Sequence, residues 1–153
     1  MIHEIIGNIK NPIFFIPILS ALFAQIIKGI LRSLKEKRLM WNSFIEWGGM
    51  PSSHSALVVS LSLILGFKEG FNSSIFILSI FFAGIVIADA IGVRLATEEQ
   101  AKVINKILKK YPINDIENTI LKESIGHTFI EAIVGGILGF IVALLYLIWG
   151  MIR

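Results

Sequence analysis

Cysteine is absent from this sequence of 153 residues, and charged residues are scarce. Without cysteine the chain can form neither a disulfide framework nor a thiolate metal site. Charged residues make up 16% of the chain, whereas soluble domains typically carry about 25%. The net charge of +3 is too small to indicate a nucleic-acid partner. Because 55% of the residues are hydrophobic and the mean hydropathy is +0.79, the composition predicts a membrane protein.

Long apolar runs are abundant. Four segments stand out: Pro12–Leu31, Ser53–Phe67, Ser73–Val93 and Thr128–Ile152. A membrane-spanning helix needs about 20 residues; the second segment is short enough to be a core or re-entrant helix instead. A soluble bundle is disfavoured because the runs are apolar on all sides. The pattern predicts an all-α polytopic membrane bundle, one domain over residues 1–153, with about four spans and one surface helix.

The basic residues are concentrated in two connections between these segments. Four follow the first segment and six follow the third: Arg32, Lys35, Lys37, Arg38, Arg94, Lys102, Lys106, Lys109, Lys110 and Lys122. With four spans both connections lie on one face, which the positive-inside rule assigns to the cytoplasm. We therefore expect a multi-pass protein of the cell membrane with both termini outside.

The connection after the third segment contains the pattern of a further helix. Thr97 and Gln100 have the spacing of a capping box, and apolar residues recur at helical intervals from Ile104 to Tyr111. Lysines occupy much of the remaining surface. The pattern predicts a basic amphipathic helix that either lies on the inner membrane surface or covers the end of the bundle. A loop is expected to begin at Pro112.

Small residues recur at intervals of four in two of the apolar segments. They are Gly84, Ala88 and Gly92 in the third, and Gly135 and Gly139 in the fourth. Such faces let membrane helices pack closely. We expect them mainly to pack helices within the bundle, although they would also suit a homodimer.

Charged residues within membrane spans are costly and tend to mark function. This chain has three, Lys28, Asp89 and Glu131. Lys28 and Asp89 lie near the ends of the first and third segments, whereas Glu131 lies near the start of the fourth. Because alternating spans bring these ends to one side of the membrane, we expect a polar cluster at the cytoplasmic face.

Two histidines lie at the same level. His54 opens the second segment beside Ser52 and Ser53, which can cap the helix or leave its N-terminus to bind a phosphate. His127 and Glu131 are four residues apart and share a helical face, so the carboxylate can orient the imidazole. The alternative is a His–Glu pair without chemistry.

Cationic side chains complete this cluster. Lys28 and Arg94 either extend toward the membrane surface or form an anion pocket with the histidines. Asp89 is expected to pair with one of them, the alternative being a cation site. Weaker supporting candidates are Gln25, Gln100 and Asn105. Two histidines, cations and a helix N-terminus suggest phosphoryl transfer, in which one histidine attacks phosphorus and the other protonates the leaving oxygen.

Four motifs in this order resemble the divergent PAP2 family. They are GGMPSSHSA (Gly48–Ala56), DAIGVR (Asp89–Arg94), QAKVIN (Gln100–Asn105) and LKESIGHTFIEAIVGG (Leu121–Gly136). The family comprises small bacterial and plant membrane proteins related to acid phosphatases and vanadium-dependent haloperoxidases. The resemblance covers nearly the whole chain, including AQIIK (Ala24–Lys28).

The resemblance implies roles for individual residues. PAP2 phosphatases carry K-x6-R-P, P-S-G-H and S-R-x5-H-x3-D motifs. The sequence PSSH is similar to the second, with Ser53 in place of Gly, which implies His54 as the general acid. The sequence HTFIE is similar to the end of the third, with Glu131 in place of Asp, which implies His127 as the nucleophile that forms a phosphohistidine.

Other motif positions differ. Lys28 is followed after six residues by Lys35 rather than Arg, and no Pro follows. Leu121 holds the place of the third-motif Arg, with Lys122 one residue later. Arg94, from another helix, is our candidate for the missing guanidinium. The usual PAP2 lipid phosphatases have six spans and often face outward, so four spans with an inward-facing site would be a difference.

The leading interpretation is a phosphatase, without metal or cofactor, that acts on a lipid phosphate or diphosphate at the cytoplasmic leaflet. His127 attacks, His54 protonates the leaving group and Glu131 holds His127. The expected phosphate contacts are Lys28, Arg94, Ser52, Ser53 and Lys122. The alternative is a non-catalytic membrane protein that binds anionic lipid or transports an ion. A haloperoxidase would need vanadate, for which nothing in the sequence selects.

Overall fold

A computed structural model of the chain describes residues 11–39, 41–44, 48–111 and 120–152. Across these ranges the structure is helical and has no strand, as predicted. The five α-helices are α1 Pro12–Lys35, α2 Ser53–Glu69, α3 Ser74–Ile91, α4 Val93–Lys110 and α5 Phe129–Ile152, with a short 3-10 helix at Trp41–Phe44. The loop expected from Pro112 falls largely on residues 112–119, which lie outside the described residues.

The starts of the first three helices follow from local capping. The Asn11 side chain accepts a hydrogen bond of 3.1 Å from the N–H of Ile13. Pro12 occupies the first position of α1, where its missing N–H costs nothing. Ser52 and Ser73 cap α2 and α3 with their hydroxyl oxygens. All four predicted apolar segments begin within one residue of an observed helix start.

Helices α1, α2, α3 and α5 form a bundle in which α2 is central. It packs against each of the other three. Its buried side chains are mostly small, and two of the buried hydroxyls donate within the helix: Ser60 to the carbonyl of Ala56 at 2.7 Å and Ser62 to that of Val58 at 3.0 Å. The Ser62 hydroxyl also lies 3.2 Å from the carbonyl oxygen of Ser79 on α3. Small side chains let three helices pack closely around α2.

Three helical segments of the described chain are long and apolar enough to cross a membrane: α1, the segment Ser74–Lys110 that comprises α3 and α4, and α5. Their outer faces expose large apolar side chains such as Phe15, Phe81 and Ile137. The fourth expected span, α2, has 17 residues and is enclosed by the other three. The structure is therefore that of a helical membrane protein, and the count of four spans is approximate.

Glycine lets α5 lie directly against α2. A Cβ atom at Gly135 would clash with the carbonyl oxygen of Ser52, and one at Gly139 would clash with that of Ala56. The small residues of α5 thus serve packing inside the bundle. On α3 the pattern has no such role, because Gly84 is exposed and the space around it is open.

Helix α4 begins earlier than the sequence predicted. Gly92 alone separates α3 from α4, and its backbone angles of φ −104° and ψ −88° interrupt the helix. Thr97 lies inside α4 and donates its hydroxyl to the carbonyl of Val93 at 2.8 Å. The predicted capping box of Thr97 with Gln100 is therefore wrong, because the threonine hydroxyl bonds back to its own helix instead of capping it.

Candidate functional site

One end of the bundle gathers the C-terminal ends of α1 and α3 and the N-terminal ends of α2 and α5. Backbone hydrogen bonds connect these ends. The N–H of Ser52 donates to the carbonyl of Glu131 at 3.1 Å, and the N–H of His127 donates to that of Ala90 at 3.0 Å. The segments that precede α2 and α5 are therefore tied to α5 and α3, and this fixes the backbone around both histidines.

His54 and His127 face each other at this end. Their ring centroids are 5.9 Å apart, and the ring planes are inclined by 67°. His127 is fully buried and His54 is half-buried. The Nδ1 atom of His127 lies 3.4 Å from Oε2 of Glu131. This arrangement leaves the far edge of the His127 ring, which carries Nε2, on the side away from the carboxylate.

Glu131 has a second role, at the N-terminus of α5, that was not predicted from the sequence. Its Oε2 atom accepts a hydrogen bond of 3.0 Å from the N–H of Thr128, and its own N–H donates to the Thr128 hydroxyl at 3.4 Å. This reciprocal pair is a capping box at the start of α5. The spacing T-F-I-E was visible in the sequence. One carboxylate oxygen therefore serves both the helix start and His127.

Lys28 lies beside both histidines. Only 2% of this residue is exposed, and its charge interacts with Glu131, His54 and His127. The Lys28 side chain passes beneath Gly49, since a Cβ atom added at Gly49 would lie 3.8 Å from Cδ of Lys28. Gly49 has a φ of 93°, a conformation that glycine adopts without steric cost. The glycine-rich turn thus covers the buried cation.

Asp89 and Arg94 form an ion pair, with 2.5 Å between Oδ2 and Nε. Of the two roles considered for Asp89, the structure shows pairing with a cation. Both charges interact with His54. Arg94 therefore lies near the histidine pair, but with much of its charge compensated by the neighbouring carboxylate.

Helix α4 holds the segment that leads to His127. The Oε2 atom of Glu98 accepts hydrogen bonds from the N–H groups of Ile125 at 3.1 Å and Gly126 at 3.0 Å, and its Oε1 accepts one from Lys102 at 2.6 Å. Glu98 was not among the candidates predicted from the sequence. Its only sequence signal was the i, i+4 spacing to Lys102, which is typical of an exposed helical ion pair.

Asn105 binds the same segment one turn further along α4. Its amide nitrogen donates to the carbonyl of Leu121 at 2.9 Å and to the Glu123 carboxylate at 2.7 Å, while its oxygen accepts from the N–H of Leu121 at 3.0 Å. This supporting candidate is therefore a ligand of the backbone before His127 and does not line the cavity described next.

A cavity of about 500 Å³ opens beside the histidines. Its charged lining residues are Lys28, Arg32, Lys35, Glu36, Glu98, Lys102, Glu123 and Glu131. Neither histidine is a lining residue. Lys28 and Glu131 belong both to the cavity wall and to the histidine cluster, so they form the boundary across which a bound anion would meet His127.

The two serines of the PSSH motif differ in position. Ser52 is fully buried, and its hydroxyl accepts a hydrogen bond of 3.3 Å from the N–H of Ser55. It therefore caps α2. Ser53 is half-buried at the first position of α2. The helix N-terminus, rather than a free Ser52 hydroxyl, is what this motif can offer to an anion.

The structure does not bring every candidate to the site. Lys122 is exposed and outside the cavity lining, and Gln100 is exposed on the side of α4 that faces away from the loop. Gln25 is half-buried on α1, about one turn before Lys28. Among the described residues no group of three or more His, Cys, Asp or Glu side chains is arranged to hold a metal ion.

The environment of His127 favours its neutral form. Burial lowers the pKa of His127 below its ordinary value of 6.5, and the charge of Lys28 lowers it further, while Glu131 raises it in part. At neutral pH the imidazole therefore has a lone pair available, which a nucleophile needs.

Comparison with known proteins agrees with the motifs. A family model described as the divergent PAP2 family matches residues 9–142. The chain is 39% identical over 144 residues to the uncharacterized membrane protein YuiD of Bacillus subtilis (strain 168), in a match that covers 84% of this chain and 91% of that protein. No solved structure matches the chain significantly.

Proposed function

The chain belongs to the divergent PAP2 family, and from this premise we propose that it is a membrane phosphatase that hydrolyses a lipid phosphate or diphosphate without a metal ion. One observation carries the proposal. His54 and His127 face each other with 5.9 Å between ring centroids, a carboxylate adjoins one ring, and a buried lysine interacts with both. A passive binding site has no need of such a pair.

His127 is the proposed nucleophile. Because Nδ1 faces Glu131, Nε2 is the atom that attacks phosphorus. The N–P bond forms as the bond to the leaving oxygen breaks, and protonated His54 gives its proton to that oxygen. Water then attacks the phosphohistidine, neutral His54 accepts the proton of that water, and the N–P bond breaks to release phosphate. Glu131 stabilises the charge that the His127 ring carries in the intermediate.

Negative charge on the transferring phosphoryl group is stabilised by Lys28 and by the N-terminus of α2. Lys28 is buried, and a charge interaction at a site shielded from water is stronger than at the surface. The N-terminal end of a helix carries a partial positive charge and has N–H groups without intrahelical partners. Arg94 contributes less than a PAP2 arginine would, since Asp89 compensates it.

The proposed substrate is an amphiphile. The cavity has charged walls and lies at the end of a bundle whose outer surface is apolar. A phosphorylated headgroup in the cavity could leave its acyl or prenyl tails along the bundle. The excess of basic residues at this end supports placement in the cytoplasmic leaflet.

A second candidate function follows from one specific observation. Four cationic residues, Lys28, Arg32, Lys35 and Lys102, line the cavity together with four carboxylates, whereas neither histidine does. A protein that binds anionic lipid or transports an anion would use this lining and leave the histidines as structural residues. The two candidates differ in whether the histidines are needed for phosphate release.

The test is phosphate release by the purified protein in phospholipid vesicles, with a panel of lipid phosphates and diphosphates. We expect His127→Asn and His54→Asn to lose at least about 100-fold of the activity, and His3→Asn, a control at the third histidine, to keep it. Radioactive substrate should label the protein with an acid-labile phosphate that His127→Asn lacks. If the wild-type protein releases no phosphate from any lipid but binds one in a manner that Lys28→Met abolishes, the second candidate replaces the first.

A further inference from the structure

Helix α4 has two opposite faces. The inner face carries Glu98, Lys102 and Asn105, which bind one another or the segment before His127. Ile107 lies nine residues after Glu98, and at about 100° per residue this places the two side chains on opposite sides of the helix. The face around Ile107 therefore points away from the loop that the inner face holds.

The outer face is apolar and uncovered. Its exposed residues are Val93, Val103, Ile104, Ile107 and Tyr111, with exposed fractions from 43% to 67%. Among the described helices α4 packs only against α3. An apolar stripe of this length on a helix is expected to be buried by something.

Charge indicates what covers this stripe. Lys110 is exposed on α4 beside the apolar residues, and its ammonium lies 5.3 Å from the centre of the Tyr111 ring. Lys106 and Lys109 are also exposed, and they lie toward Asn105 and Glu123 on the polar side of the helix. A helix with an apolar face, an aromatic side chain and lysines on its polar side has the features that bind the interface of an anionic membrane.

The connection of α4 to α3 indicates where α4 lies relative to the bilayer. Only Gly92 separates α4 from α3. The segment Ser74–Lys110, long and apolar enough to cross a membrane, comprises both helices, and its apolar residues are concentrated in α3. The start of α4 therefore lies at the boundary of the bilayer. A helix that starts there with an outward apolar face can place that face among lipid headgroups without any rearrangement of the bundle.

We propose that the outer face of α4 lies in the headgroup layer of an anionic membrane surface, with its apolar residues directed to the acyl chains and its lysines bound to lipid phosphates. The same helix holds the His127 loop with its inner face. The loop is then fixed between the bundle and the lipid surface. Docking is independent of catalysis, so the test needs no substrate.

The absence of cysteine allows single-cysteine reporters in the full-length protein. The Ile107→Cys variant is labelled with bimane and reconstituted in vesicles of phosphatidylcholine and phosphatidylglycerol. Lipids brominated on the acyl chain should quench the bimane fluorescence. Phe140→Cys, on the exposed face of α5, is the positive control, and Asn72→Cys, exposed between α2 and α3, is the solvent control. Quenching at position 107 no greater than at position 72 would overturn the proposal, as would disulfide cross-linking between two copies through Ile107→Cys.

A second experiment tests the role of the lysine charges. In the protein with native lysines, removal of phosphatidylglycerol should reduce quenching at position 107. In the triple variant Lys106→Gln, Lys109→Gln and Lys110→Gln, removal of phosphatidylglycerol should leave the quenching unchanged. The matched control neutralises the other basic connection with Lys35→Gln, Lys37→Gln and Arg38→Gln and should keep the dependence on phosphatidylglycerol. If quenching in the native background is the same with and without the anionic lipid, recognition of an anionic surface is disproved.

Discussion

The carboxylate of Glu98 accepts a hydrogen bond of 3.0 Å from the backbone N–H of Gly126, the residue before His127. A second bond, from Ile125, ends on the same oxygen. Gly126 itself is closely enclosed, because a Cβ there would clash with the backbone of Leu95 on α4. A carboxylate on a helix outside the four-helix bundle thus fixes the position of the proposed nucleophile.

Replacement of Glu98 by Gln should lower kcat by up to about 100-fold with little change in KM, since a displaced nucleophile affects the chemical step more than binding. The amide has a single acceptor oxygen, so its NH2 group would face either the two N–H groups or the Lys102 ammonium, and the ion pair with Lys102 would be lost in both orientations. Hydrogen exchange at Ile125 and Gly126 should become faster. Glu99→Gln, the same change at an exposed neighbour, should alter neither quantity, and unchanged exchange in Glu98→Gln would show that Glu98 does not hold the loop.

Replacement of Thr128 by Ala should destabilise the protein by about 1 kcal/mol, the usual cost of a lost helix cap. The capping box would lose its hydroxyl, while the Thr128 N–H would still be available to Glu131. Thermal unfolding in detergent measures the effect. Thr97→Ala removes a hydroxyl that bonds only within α4 and should cost less; an equal loss from both variants would refute the capping role.

Adjacent glycines of α5 should respond oppositely to alanine. Gly135→Ala would force a Cβ against the backbone of Ser52 and push α5 away from α2, at a cost of about 1–3 kcal/mol. At Gly136 the added Cβ would lie at an ordinary 3.5 Å from Val59. Gly136→Ala should therefore be neutral or stabilising, because alanine favours helix over glycine by about 1 kcal/mol. Comparable destabilisation by both would contradict this packing.

The acid limb of kcat/KM should report the titration of His127, since only the neutral ring attacks. Burial and Lys28 lower the pKa of His127 below 6.5, so activity should persist below pH 6.5 and fall at lower pH. Glu131 raises this pKa in part; Glu131→Gln should therefore move the limb to still lower pH, besides reducing the rate. Glu123→Gln removes another cavity carboxylate and should leave the limb in place. A limb that moves to higher pH in Glu131→Gln would contradict the assignment.

Most of the fold could be predicted from the sequence because the dominant signal is apolar length. The predicted segments agree with α1, α2, α3 and α5 to within a few residues, and the serine cap predicted for α2 is confirmed at Ser52. The start of α4 could not be predicted in the same way. Thr97 and Gln100 have capping-box spacing, but Gly92 interrupts the helix first, and a hydroxyl inside a helix can bond to the preceding turn.

Members of the candidate site could be predicted only where a residue was unusual for its surroundings. Lys28, His54, His127 and Glu131 are polar residues at the ends of apolar helices, and such positions are conspicuous. Glu98 is not, because a glutamate four residues before a lysine is common on exposed helices. Its role depends on a long-range contact with Gly126, which the order of residues along the chain does not reveal.

The enclosure of α2 has a consequence for how the protein enters the membrane. With 17 residues and a row of buried serines, α2 offers the bilayer less apolar surface than its neighbours do, whereas α1 and α5 can each insert alone. We expect α2 to leave the translocon together with α1 or α3, so that its serine-bearing surface meets protein before it meets lipid. The order of assembly would then place His54 at the centre of the bundle before His127 arrives with α5, and the histidine pair would be completed last.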